Sequence, residues 1–281
     1  MSDVSPTSAS VLAEGRVAVV TGAAMGIGLA ACKRFASLGM RVCMADVDAE
    51  ELGVADGAVT AITPGASNSV MSIVTDVGKL EDLEALRDTV YDRFGEVGLL
   101  MNNAATRVVG GKTEDLEAWR HAMDVNFWGV ANGVRVFLPR MMDQGTLCAI
   151  VNTGSKQGIT NPPGNLIYNV TKSAVKTYSE GLQHELRNTE GCNVTAHLLV
   201  PGWTTTGKRE HKPGAWLPGQ VIDKMVAALE QGDFYIICPD DDVSSEMDHK
   251  RIRWGAGDII ENRPPLSRWH PDYAEAFDKS Q

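Results

Sequence analysis

The sequence predicts an α/β fold, a doubly wound, mostly parallel seven-stranded sheet in one domain. Three observations lead there. Short apolar runs alternate with longer amphipathic ones, runs such as VAVV and AIV are apolar at every position, and the first strand enters a helix through a glycine-rich turn. Alternating strands and helices imply parallel pairing through right-handed crossovers. Strands apolar on both sides belong in a sheet covered on both faces.

The elements follow in order. RVAVVTG (16–22) is the first strand, and GIGLAACKRFASLG (26–39) a helix closed by Gly39. RVCMAD (41–46) is the second strand, and 49–65 a poor helix interrupted by Gly53 and Gly57. SVMSIVTD (69–76) is the third strand, followed by a clear helix over 79–95 that ends at Gly95. VGLLMNNA (97–104) is the fourth strand, and 116–142 a long helix. LCAIVNTGS (147–155) is the fifth strand, with a helix from Tyr168 to about Asn188 after it. NVTAHLLVPG (193–202) is the sixth strand and FYIICPD (234–240) a short seventh. Ligands of such sheets bind beyond the carboxyl ends of the strands, where the polar motifs of this chain fall.

The 281 residues are 43% hydrophobic and 22% charged, an ordinary globular balance with ample core material. A net charge of −10 argues against nucleic-acid binding, which needs a basic face. Five cysteines without a CxxC pair or a histidine cluster read as reduced, mostly buried thiols of a cytoplasmic protein, and no metal site is expected. No stretch approaches the roughly 20 apolar residues of a membrane span. Residues 1–14 read as a flexible leader with neither the basic start nor the apolar run of a secretion signal.

The turn TGAAMGIG carries Gly22, Gly26 and Gly28 between a strand and a helix. Glycine there permits a tight turn, close approach of a pyrophosphate and close helix packing. Asp46 closes the second strand. An acid at that point binds the ribose hydroxyls of NAD and repels the 2′-phosphate of NADP, and no cation stands beside it. The alternative is a plain turn residue. Tyr168 and Lys172 are four apart, so they share one helix face. Of five tyrosines, only Tyr168 has a lysine at that spacing, and Ser155 lies thirteen residues before it. In isolation such a pair reads as a surface feature of an amphipathic helix.

Together TGAAMGIG, NNA (102–104), Asn126, Ser155 and YNVTK (168–172) resemble the short-chain dehydrogenase/reductase family, from about Arg16 to Gly202. The resemblance implies a Rossmann-type fold, a homodimer or homotetramer, and hydride transfer between a nicotinamide and a carbinol carbon. It makes Tyr168 the proton-transfer group. A phenol near pKa 10 must then shift by about 2–3 units, and an ammonium near 4 Å supplies about 4 kcal/mol at an effective dielectric of 20. Lys172 is expected to supply it and to hold the nicotinamide ribose. Ser155 would bind the substrate oxygen. Asn126 would fix a local distortion of the long helix and hold a water by its carbonyl.

For the cofactor, the resemblance implies Gly22, Ala24, Met25, Gly26, Ile27 and Gly28 in the turn, with Asp46 beyond it. Asp76, with Val77, would meet the adenine, although Asp76 could equally cap the helix that follows. Asn103 and Ala104 would pass beside the adenine ribose, while Pro201, Gly202, Thr204 and Thr206 would join Tyr168 and Lys172 at the nicotinamide end. Residues 203–220, rich in Gly and Pro, read as a lid over that end. Trp203 and Trp216 in it suggest an apolar or aromatic substrate, a secondary alcohol or the matching ketone. Substrate candidates are Arg107, Lys156, Gln157 and Trp203, with Ile159, Pro163 and Leu166 near them.

The tail (240–281) lacks the VDGG ending of many relatives, which weighs against a fatty-acid-synthesis ketoreductase. Its Trp269, Tyr273 and Phe277 have helix-compatible spacing. Two other readings stay open: a ketoreductase working mainly in the reductive direction, and an NADH-sensing protein without chemistry. Met25 in place of a middle glycine counts against an epimerase of the extended branch.

Overall fold

The computed structural model describes residues 10–63, 68–107 and 114–280. Its strands are β1 (Val17–Thr21), β2 (Arg41–Asp46), β3 (Val70–Val74), β4 (Leu99–Asn102), β5 (Cys148–Thr153), β6 (Val194–Val200) and β7 (Tyr235–Ile237). They form one sheet in the order β3-β2-β1-β4-β5-β6-β7, every neighbouring pair parallel. Alternate residues of each central strand serve opposite faces. Ala18, Val20, Met44 and Val151 pack on α1 (Gly26–Ser37), α2 (Ala49–Thr60) and α8 (Pro218–Gln231). Val17, Val19, Ala45 and Ile150 pack on α3 (Leu80–Phe94), α5 (Gly129–Asp143) and α7 (Leu166–Arg187). Both faces are dry, which explains strands without polar alternation.

The long helix predicted over 116–142 is three pieces. α4 (Leu116–Met123) runs into a π-helical turn, Asp124–Trp128, and then α5. α2 is continuous through Gly53 and Gly57, because Asp48 caps it and Leu52, Ala55 and Val59 are buried. Three further helices were not anticipated: α6 (Gln157–Thr160), α8 and α9 (Ser245–Ile260).

Two expectations are corrected. Residues 1–9 of the leader lie outside the described residues, but residues 10–14 are not loose. Leu12 is buried in the core, and Gly15 donates its N–H to Gly39 O at 2.9 Å. The tail aromatics do not share one helix. Pro271 lacks an amide donor and starts a separate 3-10 turn, Pro271–Tyr273, before α10 (Ala274–Lys279). Phe277 packs edge-on to Trp254 of α9, at 5.4 Å between centroids.

All five cysteines are free thiols, four of them buried. Among the described residues no helix is long and apolar enough to cross a membrane, and no group of three or more His, Cys, Asp or Glu is placed to hold a metal ion.

Candidate active site

The predicted motifs converge at the carboxyl ends of β1, β4, β5 and β6. α7 presents Tyr168 and, one turn on, Lys172. Lys172 is 1% exposed and donates from Nζ to Thr153 O, the end of β5, at 2.8 Å. Its Nζ stands 5.8 Å from the centre of the Tyr168 ring. Ser155 follows β5, accepts from Gln157 N at 3.2 Å and hydrogen-bonds the Tyr168 hydroxyl. α6 brings this segment against α7, and Gly158 makes the approach feasible: a Cβ there would lie 2.5 Å from the Lys172 carbonyl carbon.

The electrostatics differ from the sequence expectation. Burial pushes the Tyr168 phenol above its ordinary value, while the Ser155 hydrogen bond and the charge of Arg107 draw it down. Burial also lowers Lys172 to about 8. In the protein alone, desolvation therefore outweighs Lys172 at the phenol.

Asn126 sits fully buried in the π-turn. It accepts from Thr106 N at 2.7 Å and donates to Thr106 O at 3.0 Å and Thr171 Oγ1 at 3.2 Å. Thr171 in turn bonds Tyr168 O at 2.9 Å. One amide thus ties the loop after β4 to the helix that carries Tyr168.

The glycine-rich turn is built for close packing. Gly22 and Gly26 have φ of +66° and +58°, and a Cβ on Gly28 would lie 2.0 Å from Gly22 O. Asn103 Nδ2 donates to Thr21 O and Gly22 O, and Thr21 Oγ1 accepts from Asn103 N and Ala104 N. α1 begins at Gly26 after Met25, an N-cap that makes no side-chain hydrogen bond, and has no acidic residue in its first turn. Its first N–H groups are free to meet a pyrophosphate, so the turn fits a dinucleotide. Ala24 N donates to Asp46 Oδ2 at 2.9 Å, and Asp48 N to Asp46 Oδ1 at 3.1 Å. A carboxylate has about four acceptor positions, so capacity for ribose hydroxyls remains. Ile27 packs partly into the core beneath the turn.

Asp76 does not cap α3, whose N-cap is Lys79. It accepts from Gly78 N at 3.0 Å and pairs with Lys79 at 3.7 Å. Val77 turns inward, against Gly129. After β6, Pro201 is buried, and Thr204 bonds Gly202 O at 3.2 Å. The expected lid is an irregular segment pinned by a Thr204–Trp216 bridge; it ends at Leu217, where α8 begins. It lies across the turn, with Thr206 against Gly26 and Gly207 against Met25.

Of the substrate candidates, Lys156 is a correction. Its Nζ lies 3.1 Å from Asp240 Oδ2 and 2.7 Å from Asp248 Oδ2, so its charge is spent inside the protein. Ile159 likewise packs into a core cluster with Val175, Leu198 and Val200. Arg107, Trp203, Pro163 and Leu166 are exposed around the site, and Gln157 Oε1 is buried without a partner. The sequence reading missed a ladder beneath the site: Asn102 Nδ2 donates to Asn152 Oδ1 at 2.9 Å, and Asn152 Nδ2 to Ser179 Oγ at 3.0 Å. Asparagine inside two otherwise apolar strands was the available signal.

The family profile for short chain dehydrogenase matches residues 16–214. The chain belongs to the short-chain dehydrogenase/reductase family and is an oxidoreductase of that family. A 1-deoxy-11-beta-hydroxypentalenate dehydrogenase of Streptomyces exfoliatus is 34% identical over 194 residues, 68% of each chain. An NADP-dependent (R)-specific alcohol dehydrogenase of Lentilactobacillus kefiri is 30% identical over 204 residues, 72% of this chain and 78% of that one. A crystal structure of a short-chain dehydrogenase/reductase from Burkholderia phymatum in complex with NAD superposes with a TM-score of 0.79 at 33% identity, covering 90% of this chain and 96% of that one.

Proposed function

We propose that the protein is an NAD-dependent alcohol dehydrogenase that interconverts a secondary alcohol and its ketone, with an apolar or aromatic group beside the carbinol carbon. The observation that carries this reading is the triad of Ser155 bonded to Tyr168 with Lys172 one turn away. NAD supplies the hydride acceptor. Tyr168 takes the proton of the carbinol hydroxyl, and Ser155 donates to the oxygen as charge develops on it. Lys172, held by Thr153 O, lends its positive charge to the phenolate. Asn126 keeps the helix of Tyr168 and the loop after β4 in register.

Two relatives bear names for hydroxylated substrates, which supports the alcohol part. Trp203, 46% exposed, and Leu166, 51% exposed, offer apolar surface near the site. For NAD over NADP the support is Asp46, with Asp48, Glu50 and Glu51 following it. Among the described residues Lys208 reaches them, and it is paired with Glu51 at 2.5 Å.

Absorbance at the nicotinamide band, with NAD and a panel of aryl and alicyclic secondary alcohols, is expected to rise with the wild-type protein. Tyr168→Phe should slow that rise by about 10²–10⁴. Silence of the wild type with both nucleotides, or normal turnover by the variant, would sink the reading.

A further inference from the structure

The residues beyond 214, past the family match, reach back to the site. Lys156 is the centre. Its ammonium lies between Asp240, just after β7, and Asp248, in the first turn of α9. Asp240 Oδ2 also accepts from Trp203 N at 2.9 Å, and Lys156 N donates to Pro201 O at 3.3 Å. The packing has no slack: a Cβ on Gly202 would lie 2.4 Å from Asp240 Oδ2 and 2.8 Å from Lys156 Nζ. Ile159, Thr160, Val200, Ile237 and Ile252 line a small cavity with Lys156 and Asp248, whose side chains are only 15% and 5% exposed, so their charges are screened little by water. Lys156 adjoins Ser155, and Trp203 opens the lid.

Buried ion pairs rarely exceed an apolar packing of equal volume in stability, and their best-attested use is to fix a register. Here four segments meet in one charged knot: 155–157, 201–203, Asp240 just after β7 and the start of α9. We propose that Asp240 and Asp248 are positioning residues of the active site, acting through Lys156 to hold Ser155 and the start of the lid in place. This rests on the roles given above to Ser155 and Tyr168. It makes α9, which no motif marks, a working part of the site.

The signature lies at Tyr168. The groups acting on it are Ser155 from the β5–α6 turn, Arg107 from the loop after β4 and Lys172 on its own helix. Ser155 draws the phenol down, so a slackened Ser155 should let it rise. Arg251 and Arg268 face Asp248 as well. Simple loss of a negative charge, felt through space, would shift the phenol downward instead. The sign therefore separates positioning from a field effect.

The test is a carbon-13 NMR titration of tyrosine-labelled full-length protein, with the Tyr168 resonance assigned through Tyr168→Phe. Asp248→Ala is expected to raise the Tyr168 midpoint by roughly half a unit to one unit. Asp248→Asn, which keeps the shape, should raise it less, and exposed Glu246→Ala on the same helix should leave it unchanged. A folded Asp248→Ala protein with an unmoved or lowered midpoint overturns the proposal. If that variant fails to fold, Asp248→Asn decides by the same criterion. The titration needs no turnover, so a wild type that oxidises no alcohol removes the function proposed above without touching this result.

Discussion

Lys172 works against the stability of the fold that holds it. Burial lowers it from 10.5 to about 8. Between those values the unfolded chain binds a proton that the folded chain does not, so stability rises with pH across that window. Below about pH 8 the whole cost, about 3 kcal/mol, is present. The hydrogen bond to Thr153 O returns about 1 kcal/mol. Lys172→Met is therefore expected to melt a few degrees higher than wild type at pH 7 without added nucleotide, while losing turnover. The gap should narrow as the pH climbs toward 10. Thermal denaturation across that range checks it; a variant that melts lower than wild type at pH 7 would show that packing around the ammonium outweighs its desolvation. The pairing of Tyr168 with Lys172 was legible from their spacing. The direction of the phenol's shift was not, because desolvation depends on everything stacked around the ring.

At the scale of elements, α6 and α7 must touch almost backbone to backbone. Gly158→Ala would put a methyl 2.5 Å from the Lys172 carbonyl carbon, and backbone cannot yield as a side chain would. A loss of about 1–3 kcal/mol is expected, with a fall in turnover as Ser155 moves off Tyr168. Gly181→Ala, on α7 but facing open space, should instead gain about 0.5–1 kcal/mol. Urea denaturation of the two variants checks the contrast; equal effects would refute it. Helices with strong faces and clear stops, such as α3 and α7, were readable in the sequence. α6 was not, since four residues carry no periodicity. α9 begins at the Ser244 cap with Glu246 and Asp248 in its first turn, but its charged residues hide the weak apolar face that holds Trp254. α8 had usable marks, Pro218 at its first position and Gly232 just past its end.

Over the whole molecule the particular strand order was open, since one alternation of elements suits several orders, but a parallel doubly wound sheet could be anticipated. The placement of the last third could not. It depends on contacts far apart in the chain, such as Lys156 with Asp248. The acidic surround of Asp46 is also a collective property, as it joins the end of β2, the start of α2 and the pairing of Lys208 with Glu51. If it selects against a 2′-phosphate, NAD at about 100 times its Kd should stabilise the protein by about 2.7 kcal/mol, with NADP at equal concentration giving a distinctly smaller rise in melting temperature. An equal or larger rise with NADP would refute the preference.

The π-turn at Asp124–Trp128 has a consequence for how this chain can vary. Such a turn holds one residue more than the α-helix around it, and that surplus aims Asn126 at Thr106 and Thr171. Removing a single residue there would restore regular winding and leave the downstream helix in its former phase, so Val134, Phe137 and Met141 would keep their places on the sheet while Asn126 lost its aim. The fold would accept that deletion and the site would not, so at this spot length is constrained by chemistry rather than by packing.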